Sequence, residues 1–280
     1  MKPVTIFRGL MAFLTAIPFK MDESFLEISA RYMFLFPVVG AVIGFLVGLY
    51  ARFTSTVLFF LFDSVNMFLF SGSQELLFTF GAKALASAMT IAFLLVVIGL
   101  QHTDGLVDVG NALGIRKASL KEKMDIAHVW TVTRTGAFFA LIVSFFTFLL
   151  VFLMNNNVMI QALIVAEVSA KLAMVTTAWQ GTSPPQTLED KRGKGRSFID
   201  FTRKNHKLYA ISLAISLAIS VVLFGFNGIF AVVAGILVGA FMIVLGKRVF
   251  GGVNGDIFGA TNELARMFAL FVLVILVCVL

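Results

Sequence analysis

Two short stretches of this chain gather most of the side chains able to do chemistry. The first is Gln101-His102-Thr103-Asp104-Gly105-Leu106-Val107-Asp108-Val109-Gly110-Asn111. On a helix, Asp104 and Asp108 stand at i and i+4 and share a face, which Asn111, three residues further on, can join. Two carboxylates and an amide oxygen are hard ligands, suited to Mg²⁺ bridging phosphates. His102 beside them can orient a phosphate or act as acid or base. The second stretch is Gly251-Gly252-Val253-Asn254-Gly255-Asp256-Ile257-Phe258-Gly259-Ala260-Thr261-Asn262-Glu263. Its glycines, Gly255 among them, let backbone N–H groups approach phosphate oxygens, and a helix N-terminus favours anions. Asp256 and Glu263 are two helical turns apart and face the same way. The plainer readings are helix capping for the first stretch and, for the second, a Gly-rich turn before a tightly packed helix.

Cations complete the set. Residues 189–207 hold seven cations and three acids around Gly193-Lys194-Gly195, which reads as a loop able to meet polyanions or anionic lipid heads. A topology-setting loop explains it equally well. Arg134 and Arg248, at the ends of apolar stretches near the carboxylates, are better phosphate ligands. Glu167 and Lys171 stand at i and i+4 inside an otherwise apolar arm, as structural glue or as part of a site. His128 and His206 read as ordinary loop residues. No H-E-x-x-H, P-loop or G-x-S-x-G pattern is present.

What must position these groups follows from composition. Of 280 residues, 59% are apolar and 13% charged, against about 25% charged in a soluble domain. This excludes a soluble enzyme, a disordered chain and a secreted disulfide scaffold; Cys278 is the only cysteine. It leaves an all-α, polytopic integral membrane bundle, read as a single domain over 1–280. The net charge of +7 suits both cytoplasmic loops and anionic substrates. Nucleic acid is not an expected partner, because the cations are divided among loops. The N-terminus does not read as a signal peptide: Arg8 interrupts its apolar run and no A-x-A pattern follows.

A span needs about 20 apolar residues. Arg31–Arg52 and Ala84–Thr103 bound one span each. Thr135–Ala166 and Leu208–Gly246 are too long for single spans; turns at Asn155-Asn156-Asn157 and at Gly225–Gly228 make each a hairpin, the first continuing past Glu167 and Lys171. Met267–Leu280 is a short final span that can start nearer Asn262. About seven transmembrane helices result. Three loops collect the Lys and Arg, and the hairpin turns carry none, so the positive-inside rule puts those loops and the N-terminal cations in the cytoplasm. The C-terminus then lies outside. On that topology Phe53–Phe70 is not an independent crossing; it extends the first span or lies along the outer surface. The first twenty residues suggest an interfacial helix. Ser212, Ser216 and Ser220 share a helix face and read as packing residues.

Four stretches together resemble the cobalamin (5′-phosphate) synthase family, also called adenosylcobinamide-GDP ribazoletransferase. Phe13-Leu14-Thr15-Ala16-Ile17-Pro18 is similar to its F-L-T-x-x-P. Phe36-Pro37-Val38-Val39-Gly40 with Gly44 is similar to its P-x-V-G-x-x-x-G. Asp104-Gly105-Leu106-Val107-Asp108 resembles its D-G-L-A-D, and Gly251–Glu263 its G-G-x-T-G-D-x-x-G-A-x-N-E. The chain departs from the family pattern at Asn111, where a third Asp is usual, and at Asn254, where Thr is usual. The family's D-S-R-x-G appears only as Thr133-Arg134-Thr135-Gly136.

The resemblance implies an Mg²⁺-dependent membrane transferase late in cobalamin synthesis. It would join adenosylcobinamide-GDP to α-ribazole or its 5′-phosphate and release GMP. Asp104, Asp108, Asp256 and Glu263 would hold the metal or serve as base. His102, Arg134, Arg248, Asn111, Lys171, Asn262 and Gly255 would contact substrate. The expected setting is the inner cell membrane with the site facing the cytoplasm. Two other classes compete. A CDP-alcohol phosphotransferase would carry D-G-x-x-A-R, which Asp104-Gly105 does not open. A secondary transporter would carry mid-membrane charges in inverted repeats, and only Glu167 and Lys171 are candidates.

Overall fold

The computed structural model describes residues 3–17, 25–115, 119–127, 131–185, 194–203 and 205–279. His128 and the cations Lys2, Lys20, Arg116, Lys117, Lys191, Arg192 and Lys204 lie outside the described residues. Within them the fold is all-α, with twelve α-helices and two 3-10 turns. Seven of the helices are long and apolar enough to cross a membrane.

Helix α1 (Pro3–Leu14) opens on proline, whose fixed φ suits a first helical position, and buries Ile6, Leu10, Met11 and Leu14. Its twelve residues are too few to span, as expected of an interfacial helix. Helix α2 (Phe25–Arg31) and a 3-10 turn at Met33–Leu35 lead into α3 (Phe36–Phe70). At 35 residues α3 is ~52 Å long, more than a bilayer core requires. Phe53–Phe70 therefore extends the first span, one of the two expected outcomes. Ser71 and Gly72, both at positive φ (53° and 80°), turn the chain back. Helix α4 (Glu75–Ile98) returns antiparallel to α3, with Tyr50 stacked on Phe93 at 4.1 Å.

Three expected boundaries move. Span α4 starts at Glu75 and stops at Ile98, because Gly99 adopts φ 68° and breaks the helix. Gln101–Thr103 therefore belong to a separate helix, α5 (Gln101–Leu113). After α6 (Leu120–Ala127), α7 (Arg134–Leu153) and α8 (Met159–Gln180) form the first hairpin, with Asn155 Oδ1 accepting from the Asn157 amide at the turn. The loop expected over 189–207 contains a helix, α9 (Lys194–Arg203), which buries Phe198 and Ile199. The second hairpin, α10 (His206–Phe224) and α11 (Asn227–Phe250), turns at Gly225. The last span is long: α12 runs from Gly255 to Val279. It begins well before the expected Met267 or Asn262 and includes Glu263 and Arg266, which pair with each other.

Helix α8 is the axis of the bundle. Every residue from Val165 to Ala178 is buried, with α3, α10, α11 and α12 packed around it. Small residues make this possible. A Cβ added to Gly44 of α3 would stand 2.5 Å from Ile164 Cα, and one on Gly235 of α11 would stand 2.6 Å from the Ser169 carbonyl oxygen. Ser212, Ser216 and Ser220 are fully buried, as packing residues should be.

Candidate functional site

Both chemical motifs are helical starts, and glycine brings them together. Asn254 caps α12: its Oδ1 accepts from the Ile257 amide at 3.0 Å and its Nδ2 donates to Asp256 Oδ2 at 2.7 Å. Helix α5 crosses this first turn in backbone contact. A Cβ on Gly105 would lie 2.6 Å from the Asp256 carbonyl oxygen, and one on Gly259 would lie 3.1 Å from that of His102. At Gly105 no side chain larger than hydrogen fits without moving a helix, and at Gly259 the fit is tight.

The crossing forms one wall of a cavity of about 490 Å³. Gln101, His102, Asp104, Gly255 and Asp256 line its polar end; Phe13, Met33, Phe36, Met174 and Phe198 line its apolar end. Burial, then the Asp256 carboxylate, pushes the Asp104 carboxyl above its ordinary range. Asp108 stands one turn further along α5, half-buried.

Beneath this pair lies a buried ionic network that sequence reasoning saw only in part. Arg266 donates to both Glu167 and Glu263, and Lys171 Nζ lies 3.3 Å from Glu167 Oε2. Two carboxylates and two cations so close together balance each other, which is how an apolar interior tolerates them. Lys171 Nζ also donates to Asn262 Oδ1 at 2.6 Å. An ammonium only donates, so the Asn262 amide must turn its oxygen to Lys171 and its Nδ2 toward Glu263 Oε1 (3.1 Å) and His102 Nδ1 (3.3 Å). His102 Nδ1 then accepts, which leaves the ring proton on Nε2. Burial, and after it Lys171 and Arg266, hold the His102 pKa well below its usual value, so the ring is neutral.

The sequence-derived candidates thus divide. His102, Asp104, Gly255 and Asp256 line the cavity. Lys171, Asn262 and Glu263 form the network that braces it. Asn111 is taken up elsewhere: its Oδ1 accepts from the Thr133 amide (3.0 Å) and hydroxyl (2.7 Å), pinning the start of α7. Arg134, the first residue of α7, and Arg248, near the end of α11, are exposed and do not line the cavity. His206 is no loop residue but starts α10 and accepts from Trp179 Nε1 at 2.8 Å. Two elements escaped the sequence reading. Arg266 was counted only as a topology charge, although its i, i+3 spacing from Glu263 was a usable signal. The phenylalanines of the cavity come from four separate helices; Phe13, Phe36 and Phe258 fall in the family-like stretches, but nothing local marks Phe198 among 32.

Among the described residues, no three His, Cys, Asp or Glu side chains stand together as a metal shell. What the cavity offers is a facing carboxylate pair, hard donors whose mutual repulsion a divalent cation would relieve. Such a cation would need further oxygens from substrate and water.

The sequence profile of a family described as cobalamin-5-phosphate synthase matches residues 6–274. An adenosylcobinamide-GDP ribazoletransferase of Methanosarcina barkeri is 26% identical, the alignment covering 96% of this chain and 91% of that one. One of Methanocella arvoryzae is 28% identical over 95% and 94%. One of Clostridium tetani is 29% identical over 72% and 80%. No solved structure matches the chain.

Proposed function

Because the chain belongs to the cobalamin-5-phosphate synthase family, its activity is ribazole transfer with adenosylcobinamide-GDP, and we propose that the cavity at the α5–α12 crossing is where the transfer occurs. The acceptor is α-ribazole or its 5′-phosphate. One of its ribose hydroxyl oxygens attacks the phosphorus next to cobinamide, a new P–O bond forms, and the P–O–P bridge breaks, while any 5′-phosphate on the acceptor stays in place. GMP leaves with the bonding electrons, and an acceptor hydroxyl gives up its proton to a carboxylate.

Each residue at the polar end has a task. Asp104 and Asp256 would hold Mg²⁺, with Asp108 next to them on α5; when bound, the ion offsets charge on the pyrophosphate. His102, neutral with its proton on Nε2, donates to a phosphate oxygen rather than acting as base. The start of α12 at Gly255 offers the positive end of a helix to the same anion. Arg134 and Arg248 are exposed and would meet the donor's phosphates only at the mouth. Lys171, Asn262 and Glu263 act through His102 and the helix crossing and do not touch substrate.

The site faces the cytoplasm in this reading. The start of α3, the ends of α4 and α8, and the start of α12 share one end of the bundle with the cation-rich loops. Trp179, near the end of α8, stacks on Tyr209 of α10 at 4.1 Å, an aromatic pair of the kind that sits at a membrane interface. The observation carrying the proposal is the placement of Asp104 and Asp256, one from each family motif, on the same cavity wall. The test is conversion by sealed inner-membrane vesicles carrying the protein. Inside-out vesicles should turn adenosylcobinamide-GDP and α-ribazole into adenosylcobalamin, and right-side-out vesicles should not. Equal conversion by both would remove the cytoplasmic assignment, and conversion by neither would remove the reaction.

A further inference from the structure

The apolar end of the cavity is not needed to hold a pyrophosphate or a cation, yet it is the more elaborately built half. Phe198 of α9 stacks on Phe13 at 5.1 Å between ring centres and 26° between planes. It lies 6.1 Å from Phe36 and meets Phe258 edge-on at 6.2 Å. These four rings come from α9, α1, α3 and α12, and all four line the cavity. Helix α9 also ties this aromatic wall to the polar end, since a Cβ on Gly195 would lie 3.3 Å from the Gly255 nitrogen. Phe258 and Asp256 lie within one turn of α12 and both line the cavity, so a ligand on the rings reaches the carboxylates within the length of one nucleoside.

We propose that this end seats the flat heterocycle of the acceptor, a benzimidazole-type base, against Phe198, with the sugar directed toward Asp104 and Asp256. The assignment rests on the ribazole-transfer reading and divides the two substrates between the two ends of the site. An aromatic seat suits a flat heterocycle, and two observations favour the acceptor's base over any part of the donor. Stacking on aromatic rings suits any flat π-system. A guanine edge carries several donors and acceptors that must find partners when buried, whereas the lining side chains packed around Phe198 (Phe13, Phe36 and Phe258) are apolar. A benzimidazole edge is almost entirely hydrocarbon, with a single ring-nitrogen acceptor, and loses far less there. Size points the same way: about 490 Å³ holds one nucleoside-sized ligand. A corrin ring with its amide arms exceeds that volume and would leave its amides unpaired, so the donor approaches from the open, polar side.

The test measures both substrates on purified full-length protein in nanodiscs, using Phe198→Leu, which keeps apolar bulk and removes the π-face. Calorimetric affinity for α-ribazole should fall by roughly tenfold and the acceptor KM should rise equally, with the KM for adenosylcobinamide-GDP and the affinity for GMP unchanged. A weakened donor or GMP with α-ribazole unaffected would overturn the assignment. Should Phe198→Leu melt well below wild type, Phe258→Leu carries the same comparison, because its ring lies edge-on to the same seat. Binding of α-ribazole that depends on Phe198 in a protein with no transferase activity would uphold the seat and remove the reaction. Transfer with an acceptor KM untouched by either variant would do the reverse.

Discussion

Gly105 of α5 lies so close to Asp256 of α12 that a Cβ at 105 would come within 2.6 Å of the Asp256 carbonyl oxygen. Backbone rather than a flexible side chain is what it would meet, so substitution must separate the helices. Gly105→Ala should lower ribazole transfer by tenfold or more and cost about 1–3 kcal/mol in stability. Activity together with thermal unfolding of the purified variant checks this, and an unchanged rate would show that the crossing does not set the site.

The facing carboxylates predict a metal effect with a definite sign. Asp104's folded pKa lies above its unfolded value, so the folded state keeps this proton longer. Stability attributable to the group is greatest in acid and declines as pH rises through the ordinary carboxylate range to the raised value. A bound divalent cation reverses the decline. At neutral pH, wild-type Tm should therefore rise on adding Mg²⁺ to chelator-treated protein. Asp256→Asn should melt higher than wild type without metal and respond little to its addition.

The ionic network predicts a penalty for removing one member. Glu167 balances both Arg266 and Lys171, and all three side chains are at least 98% buried. Glu167→Gln leaves two cations short of a partner and should cost about 3–5 kcal/mol, or a Tm drop of around 10 °C. Adding Lys171→Met should recover part of the loss, because the pair is coupled. Additive losses in the double variant would contradict the coupling.

His102 predicts acid sensitivity. Its folded pKa is lowered by burial and by Lys171 and Arg266, with Glu167 opposing. As pH falls below about 6.5, unfolded histidine takes up a proton that the folded site refuses. Stability is then lost toward acid. The Tm difference between pH 7.5 and pH 5.5 should shrink in His102→Gln relative to wild type, as differential scanning fluorimetry would show.

Much of this arrangement was legible in the chain. Charge scarcity gave the membrane class, and asparagine and glycine turns placed the two hairpins. The i, i+4 spacing put Asp104 and Asp108 on one helix. The missing parts share a cause: they depend on partners distant in sequence. Lys171 meets Asn262 across 91 positions and Arg266 meets Glu167 across 99. No window of sequence reveals that these charges cancel. Asn111 illustrates the converse. Its spacing suggested a ligand, but local geometry commits its oxygen to Thr133. Phe198 sat in a stretch dominated by cations, where the apolar face of α9 was easy to overlook.

The central claim is that Asp104 and Asp256 jointly form the transfer site, and GMP release tests it most directly. Purified wild-type protein, given adenosylcobinamide-GDP, α-ribazole and Mg²⁺, should release GMP in step with adenosylcobalamin. Asp104→Asn and Asp256→Asn, folded and inserted normally, should each fall by about a hundredfold or more. GMP release at the wild-type rate from either variant would contradict the account.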